Sequence, residues 1–387
     1  ISVSRFRELL DHPGTTYDFN GEPGEFPDIK MVWWAGGNPF HHHQNLNQLA
    51  SAWERPETIV VQEPFWTPTA RRADIVFPSS TPLERNDIGG AENLLISHGR
   101  AVDPPGEARD DYEIMAMVAA QLDLKEQFTE GRTGDEWVEV LYDLFRAEND
   151  WAPNFEEFRE VGYLRYPDMG EMGENEQVFL SEFRNDPISH PLGTPSGCIE
   201  LWSETIADFE YEDCPPHPAW MEPYERLGGN NFDQWPLHLI SNQPSVRIHS
   251  QYDHTEPSRG SKVGGREPIR IHPDTAKDRG VSNGDVVRVF NDRGSCLAGA
   301  LLDDALMPEV VQLSTGAWYD PDPEGMCRAG NPNTLTRDKG TSKLAQGPTA
   351  HTCLVDIELF VGVAPRVESY DQPQFIENQE RGRRDVR

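Results

Sequence analysis

Between residues 30 and 122 the chain alternates short unbroken apolar runs with helical stripes. DIKMVWWAG reads as a strand apolar on both faces, stopped by Gly36-Gly37. NLNQLASAWER follows as a helix with Leu46, Leu49, Ala50 and Trp53 on one stripe. ETIVVQE is a second buried strand, TPTARRA a short helical turn, and DIVFPSS a third strand closed by proline and serines. DDYEIMAMVAAQLDL is a periodic helix with acids at its start, where they complement the helix dipole. Unbroken strands separated by helices predict a doubly wound, mainly parallel sheet covered on both faces.

Downstream, GDEWVEVLYDLFRAE and NFEEFREVGYL read as amphipathic helices, MGEMGENEQ as a polar loop, and TPSGCIELWSET as a hairpin or strand. From residue 236 the texture becomes short β runs with turn punctuation: PLHLISNQ, EPIRIHP, GDVVRVFNDRG, CLAGALL and PEVVQLSTG, with one short helix, DTAKDRG, ended by Gly280. This predicts a compact C-terminal β-barrel. The expected division is a preceding domain's end or linker over 1–30, an α/β domain over 31–165, a connecting segment over 166–235, the barrel over 236–365 and a tail over 366–387.

Composition narrows the partners. Among 387 residues, 34 basic against 66 acidic side chains give a net charge of -32. That charge, with basic residues scattered, argues against nucleic acid or an anionic membrane surface as partner. No run approaches the ~18 apolar residues of a membrane span. Five scattered cysteines without a CxxC pair argue against a zinc ribbon or a cysteine-ligated iron–sulfur cluster. The chain opens without Met, basic region or apolar leader, which reads as a piece of a longer protein.

The candidate chemistry sits at strand ends. On a helix His41, His42 and His43 would point ~100° apart and could not converge on one metal, and on a strand only His41 and His43 would share a face, which makes a weak site. Their place after Gly36, Gly37, Asn38 and Pro39 suits a ligand loop instead, since glycines and a helix start beyond a parallel strand let backbone approach phosphate. Gln62 and Glu63 end the second strand, and Arg85 of ERND follows the third. Three such features at three strand ends point to a nucleotide-type ligand. In the barrel, the polar-dense loops SNQPSVRIHSQ and GNPNTLTRDKGTSKLAQG are compatible with surface loops or ligand loops. No nucleophile elbow or phosphate-binding GKS/T motif supports hydrolase chemistry.

These segments, with EARDDYEI, NGDVVRVFNDRG and STGAWYDP, resemble in order the C-terminal half of the molybdopterin oxidoreductases of the dimethyl sulfoxide reductase family. The likeness is to the dimethyl sulfoxide, trimethylamine N-oxide and biotin sulfoxide reductases. It implies a double-psi-like barrel and a cofactor of molybdenum held by bis(molybdopterin guanine dinucleotide). It further implies cofactor contacts from Gly37, Asn38, His42, Gln62, Glu63 and Arg85. Asp111 would accept from guanine's N1–H and exocyclic amine, and Asp110 is its neighbour. Arg247, His249, Ser250, Gln251, Asn331 and Gln346 would line the pterins from the barrel. No residue here is expected to be catalytic or to ligate metal. The family's serine ligand lies in a missing N-terminal half, so this chain alone is expected to be inactive. The substrate would be a small S- or N-oxide, with nitrate or formate, or a non-catalytic pterin- or guanine-nucleotide-binding module, as alternatives. The electron donor would be a c-type cytochrome or another reduced carrier, in the periplasm.

Overall fold

The structure, a computed structural model, describes residues 1–91, 93–167 and 178–373. Helix α1 (Phe6–Asp11) and the hairpin β1 (Thr16–Phe19)–β2 (Glu22–Glu25) open the chain. Then come β3 (Met31–Ala35), α2 (Pro39–His42), α3 (Leu46–Trp53), β4 (Thr58–Glu63) and β5 (Ile75–Pro78). Strands β3, β4 and β5 pair in parallel, each in register with the next. They run in simple sequence order, without the reversal that double winding needs among the described residues. Burial is full only along β4; Met31 and Ile75 on the outer strands are 55% and 45% exposed. Cover on both faces therefore holds for the central strand and not for the edges.

Helix α1 packs onto this layer. Phe6 meets Trp34 edge-on at 5.4 Å and Trp53 at 5.6 Å, and Leu10 joins the main core. The α3 stripe buries Leu46, Leu49, Ala52 and Trp53, with Ala50 half-buried.

Next comes a small antiparallel sheet that the sequence pattern did not suggest. It joins β6 (Asp87–Ala91), β7 (Leu94–His98) and β8 (Tyr163–Arg165), the last returning after four helices. Those are α4 (Asp111–Gln121), α5 (Lys125–Thr129), α6 (Gly134–Ala147) and α7 (Phe155–Val161). Tyr142 of α6 stacks on Phe158 of α7 at 4.4 Å, making a second small core with Leu95. The predicted stripe on α4 is weak: only Ile114 and Ala119 are buried, and Met117 is 58% exposed.

The connecting segment holds two short helices, α8 (Ser181–Asn185) and α9 (Glu204–Asp208). TPSGCIELWSET forms no strand or hairpin. Gly197 turns the chain at φ 68°, and Ile199 and Leu201 lie open to solvent with no strand to pair with. The predicted loop MGEMGENEQ lies outside the described residues.

The C-terminal part is a closed six-stranded barrel, as predicted. Its strands are β9 (Leu237–Ile240), β10 (Pro268–Ile271), β11 (Val286–Phe290), β12 (Ser295–Leu302), β13 (Val310–Leu313) and β14 (Leu354–Leu359). Helix α10 (Glu256–Gly260) precedes β10, and α11 (Pro273–Asp278) follows it. Two strand pairs, β10–β12 and β9–β13, are parallel, and the other barrel pairs are antiparallel. Alternate side chains fill the interior, as the buried Val287, Val289, Ala298 and Ile357 show. Val32, Phe40, Leu46 and Ile59 of the α/β layer belong to the same apolar cluster as Leu237, Ile269 and Val311 of the barrel. The two modules share one core.

Candidate functional site

The loop after β3 needs glycine. Gly36 and Gly37 stand at φ 70° and 75°, a conformation L side chains adopt only with strain. A Cβ on Gly36 would meet nothing within 4 Å, so the loop faces open space. Asn38 then caps α2 from a buried position, with Pro39 at its first turn. Its amide is committed on both sides: Nδ2 donates to Ser250 Oγ at 3.1 Å, and Oδ1 accepts from Thr69 Oγ1 at 2.7 Å. Asn38 thereby ties the α/β loop to the barrel loop that carries Ser250.

The three histidines divide. His41 and His43 are buried, whereas His42 is exposed. Burial, followed by the neighbouring His42, lowers both His41 and His43 to about 3, so these rings are neutral at physiological pH. His42 is lowered as well, first by burial and then by His249. The His41 ring lies 5.5 Å from that of His249, which brings the two loops together. The Nε2 atoms of His41 and His43 are buried without a hydrogen-bond partner. Among the described residues no group of three or more His, Cys, Asp or Glu could hold a metal ion.

The barrel side repeats the division. The Arg247 guanidinium is fully enclosed, donating to Ser258 Oγ (3.1 Å), Glu267 Oε2 (2.9 Å) and the Thr315 carbonyl (2.9 Å). It belongs to a buried network of two cations and two anions with Asp253, Lys262 and Glu267. Tyr370 and the Trp318 amide complete the shell around Asp253. His249 itself sits at φ 53°, with its carbonyl so close to Gly316 that any Cβ there would collide at 1.9 Å. His249 and Gln251 are exposed, and Ser250 is turned inward to Asn38 and Trp318. Asn331 is fully buried, donating to the Phe40 and Ala317 carbonyls, and Asn333 reaches the His41 carbonyl. Both seams run from barrel loop to α/β loop. Gln346 lies elsewhere, donating to the Asp18 carbonyl of β1 at 2.8 Å.

A second cluster forms at the ends of β4 and β5. Gln62 is 1% exposed; it accepts from Trp33 Nε1 at 2.6 Å and donates to Asp111 Oδ1 at 2.7 Å. Ser79 Oγ reaches the same Oδ1 at 3.2 Å. Asp111 Oδ2 makes no hydrogen bond among the described residues. Asp110 caps α4, accepting from the Glu113 amide at 2.7 Å, which separates the roles of the two adjacent aspartates. Burial raises Glu63 to about 7, against weak help from the Phe65 amide and Thr67 hydroxyl, with nearby Asp111 adding to the rise. Arg85 bonds Asp87 at 3.2 Å and the Ser80 carbonyl at 3.3 Å. Arg85, Asp110, Asp111, Arg100 and Trp137 line a cavity of about 580 Å³.

The candidates thus fall into three sets. His42, His249 and Gln251 present exposed side chains at the junction, beside the Gly36–Gly37 loop. Asp111, at the start of α4, and Arg85, after β5, line the cavity, and Glu63 ends β4 within electrostatic reach of Asp111. Asn38, Gln62, Arg247, Ser250, Asn331 and Gln346 spend their polar groups inside the protein. Thr69, Asp253, Ser258, Lys262 and Glu267 were missed by the sequence reading. For the last four the one sequence signal is charge and hydroxyl density in DHTEPSRGSKVGGRE, just after the HSQ segment.

An α/β layer and a closed barrel that share a core, with polar loops meeting at their junction, define a two-module ligand-binding architecture. Residues 237–354 match the molydopterin dinucleotide binding domain, and residues 18–121 match molybdopterin oxidoreductase. The chain belongs to the molybdopterin oxidoreductases. It is 45% identical to a biotin sulfoxide reductase of Cereibacter sphaeroides, over 96% of this chain and 50% of that protein. It is 43% identical to a trimethylamine-N-oxide reductase of Haemophilus influenzae (97% and 47%) and 44% identical to a dimethyl sulfoxide/trimethylamine N-oxide reductase of C. sphaeroides (97% and 46%). The chain spans about half the length of these curated relatives. Its fold is similar to that of acetylene hydratase from Pelobacter acetylenicus, with a TM-score of 0.67 at 19% identity over 86% of this chain and 45% of that one.

Proposed function

We propose that this chain is the cofactor-binding portion of a molybdenum reductase that removes oxygen from S- or N-oxides such as dimethyl sulfoxide, trimethylamine N-oxide or biotin sulfoxide. The observation that carries this reading is the junction itself. Loop 36–43 and loop 241–251 are locked together through Asn38 and Ser250, yet His42, His249 and Gln251 remain exposed beside them. The residues fit bis(molybdopterin guanine dinucleotide): open space beside Gly36 admits a bulky ligand, and a carboxylate oxygen of Asp111 is left free beside a cavity.

When bound, that cofactor supplies two-electron oxygen-atom transfer. The chain's own residues bind and orient. Asp111 accepts from guanine's N1–H and exocyclic amine, and Gln62 and Ser79 fix the carboxylate by bonding Oδ1. Glu63, held to about 7, is partly neutral near physiological pH, which lessens its repulsion of phosphate. Arg85 lends positive charge at the same cavity. His42, lowered from its ordinary value by burial and by His249, and His249 itself offer ring nitrogens to the pterin side. Asn38, Arg247, Ser250 and Asn331 act from behind by holding those loops, and Gln346 braces the barrel against β1. The remaining half supplies the serine that ligates molybdenum, and electrons come from a c-type cytochrome or similar carrier in the periplasm. The domain limits stand at about 31–165 and 236–365, and the parallel strand pairs support a double-psi type of barrel.

The test is the full-length polypeptide, assayed for bound molybdenum and for GMP released on hydrolysis, then for turnover of each oxide with a reduced dye. Molybdenum with about two GMP per chain and oxide turnover is the expected result. GMP without molybdenum would assign a non-catalytic nucleotide-binding module, and turnover of nitrate or formate alone would overturn the substrate class.

A further inference from the structure

Apart from every residue assigned to the cofactor, α10, the Gly264–Gly265 turn and the segment 364–370 enclose a cavity of about 620 Å³. Arg259, Lys262, Arg266 and Arg366 line it, against the single carboxylate of Glu256. In a chain of net charge -32 this is a local reversal of sign.

The cations are not equally compensated. Lys262 is neutralised by Asp253 and Glu267 at 2.7 and 2.6 Å. Arg366 pairs with Asp371 at the surface. Arg266 is 5% exposed, yet its guanidinium donates only to the Gly264 and Pro365 carbonyls, and its Nε is buried without a partner. Among the described residues no carboxylate forms an ion pair with it. Arg259 lies over the Tyr370 ring at 5.6 Å and makes no ion pair among the described residues either. A buried guanidinium with unspent donors, beside a second one without a carboxylate, is an arrangement that an anion completes.

We propose that this cavity binds a small oxyanion of the phosphate or sulfate class, gripped by the Arg266 guanidinium and by Arg259. Arg266 supplies a fixed donor from the wall, and Arg259, held against Tyr370, closes over the opposite side. The site is linked inward. Lys262 and Tyr370 both bond Asp253, and Asp253 pairs with Arg247 at the root of the 241–251 loop. Occupancy of the cavity stiffens that loop from behind.

The experiment is thermal unfolding of the full-length protein, cofactor-loaded and cofactor-stripped, with inorganic phosphate titrated against chloride at constant ionic strength. A saturable rise in midpoint with phosphate in both forms is the expected result. Arg259→Gln should weaken the phosphate response about ten-fold, as loss of one charge-assisted contact predicts. Arg266→Gln should abolish it; should that variant fail to fold, the exposed Arg259 still decides the matter. Equal midpoints in phosphate and chloride, or an undiminished response in Arg259→Gln, would overturn the proposal. A response confined to the stripped form would mean that the cofactor's own phosphates use the cavity, which also overturns a separate site. Guanosine diphosphate serves as the second probe: a stronger response to it than to phosphate would reassign the cavity to a nucleotide. None of these outcomes depends on oxide turnover.

Discussion

Arg247→Met removes one cation from a closed set of four charges and leaves the volume nearly unchanged. Asp253, Glu267 and Lys262 remain, all with side chains 2% exposed or less, so the network passes from neutral to one uncompensated negative charge. Breaking a buried pair from one side costs about 3–5 kcal/mol, and three charged hydrogen bonds vanish with the same side chain. We expect a loss near ~4 kcal/mol at pH 7. The loss should depend on pH. In the native protein Asp253 is held below its ordinary value of 3.8; burial works against this and is outweighed by Lys262 and Arg247. Its stabilisation is therefore present above 3.8 and lost only as pH falls below that value. In the variant a carboxylate sharing Lys262 alone has its folded pKa raised, so the native state takes up a proton and gains stability as pH falls from 7 toward 5. The deficit should shrink over that range by about 1–2 kcal/mol. Guanidinium unfolding followed by tryptophan fluorescence measures it, because Trp318 donates to Asp253 and to the Ser250 carbonyl. Arg247→Met with Asp253→Asn restores one-to-one charge and should recover part of the loss. A loss under about 1 kcal/mol, or a deficit indifferent to pH, would refute the reasoning.

Asp111→Asn should reduce the GMP retained by the full-length protein about ten-fold or more, since an amide presents a donor where guanine presents another; Asp110→Ala should instead cost α4 about 1 kcal/mol through its lost cap, read by thermal unfolding. His42→Ala should lower cofactor content with little change in melting temperature, whereas His43→Ala, which empties a buried site beside Phe6, should lower stability by about 2 kcal/mol. Glu63, raised to about 7 from 4.5, binds more protons folded than unfolded, so it favours folding below 4.5 and that contribution is lost as pH rises through 7. Glu63→Gln should therefore flatten stability between pH 5 and 8 and stabilise the protein at the upper end, as chemical unfolding across that range would show.

The elements that the sequence disclosed best are those whose burial is indifferent to face. The unbroken apolar runs of β4 and β12 need only a core, and the core is there. The β6–β7–β8 sheet stayed hidden because DIGGA is glycine-broken and β8 is three residues long, paired to a strand far upstream in the sequence. The site was legible by position and less so by role. A polar-dense loop looks the same whether its donors meet a ligand or another loop. Asn38 and Ser250, 212 residues apart, satisfy each other, as do Asn331 and the Phe40 carbonyl, 291 apart. No local pattern announces such a partner. Among the histidines it was the family resemblance that singled out His42, and His42 is the one of the three whose side chain is exposed.

The seam between the two modules has a kinetic consequence. Phe40 stacks on Tyr319 at 5.8 Å, Arg72 lies over both rings, and Asn38, Asn331 and Asn333 stitch the loops behind them. Walls joined by one core do not part like a jaw, so a ligand must enter through the open side and finds the loops already ordered. Little conformational freedom is left to lose on binding, and variants that loosen the seam should shorten the residence time of the ligand far more than they slow its arrival.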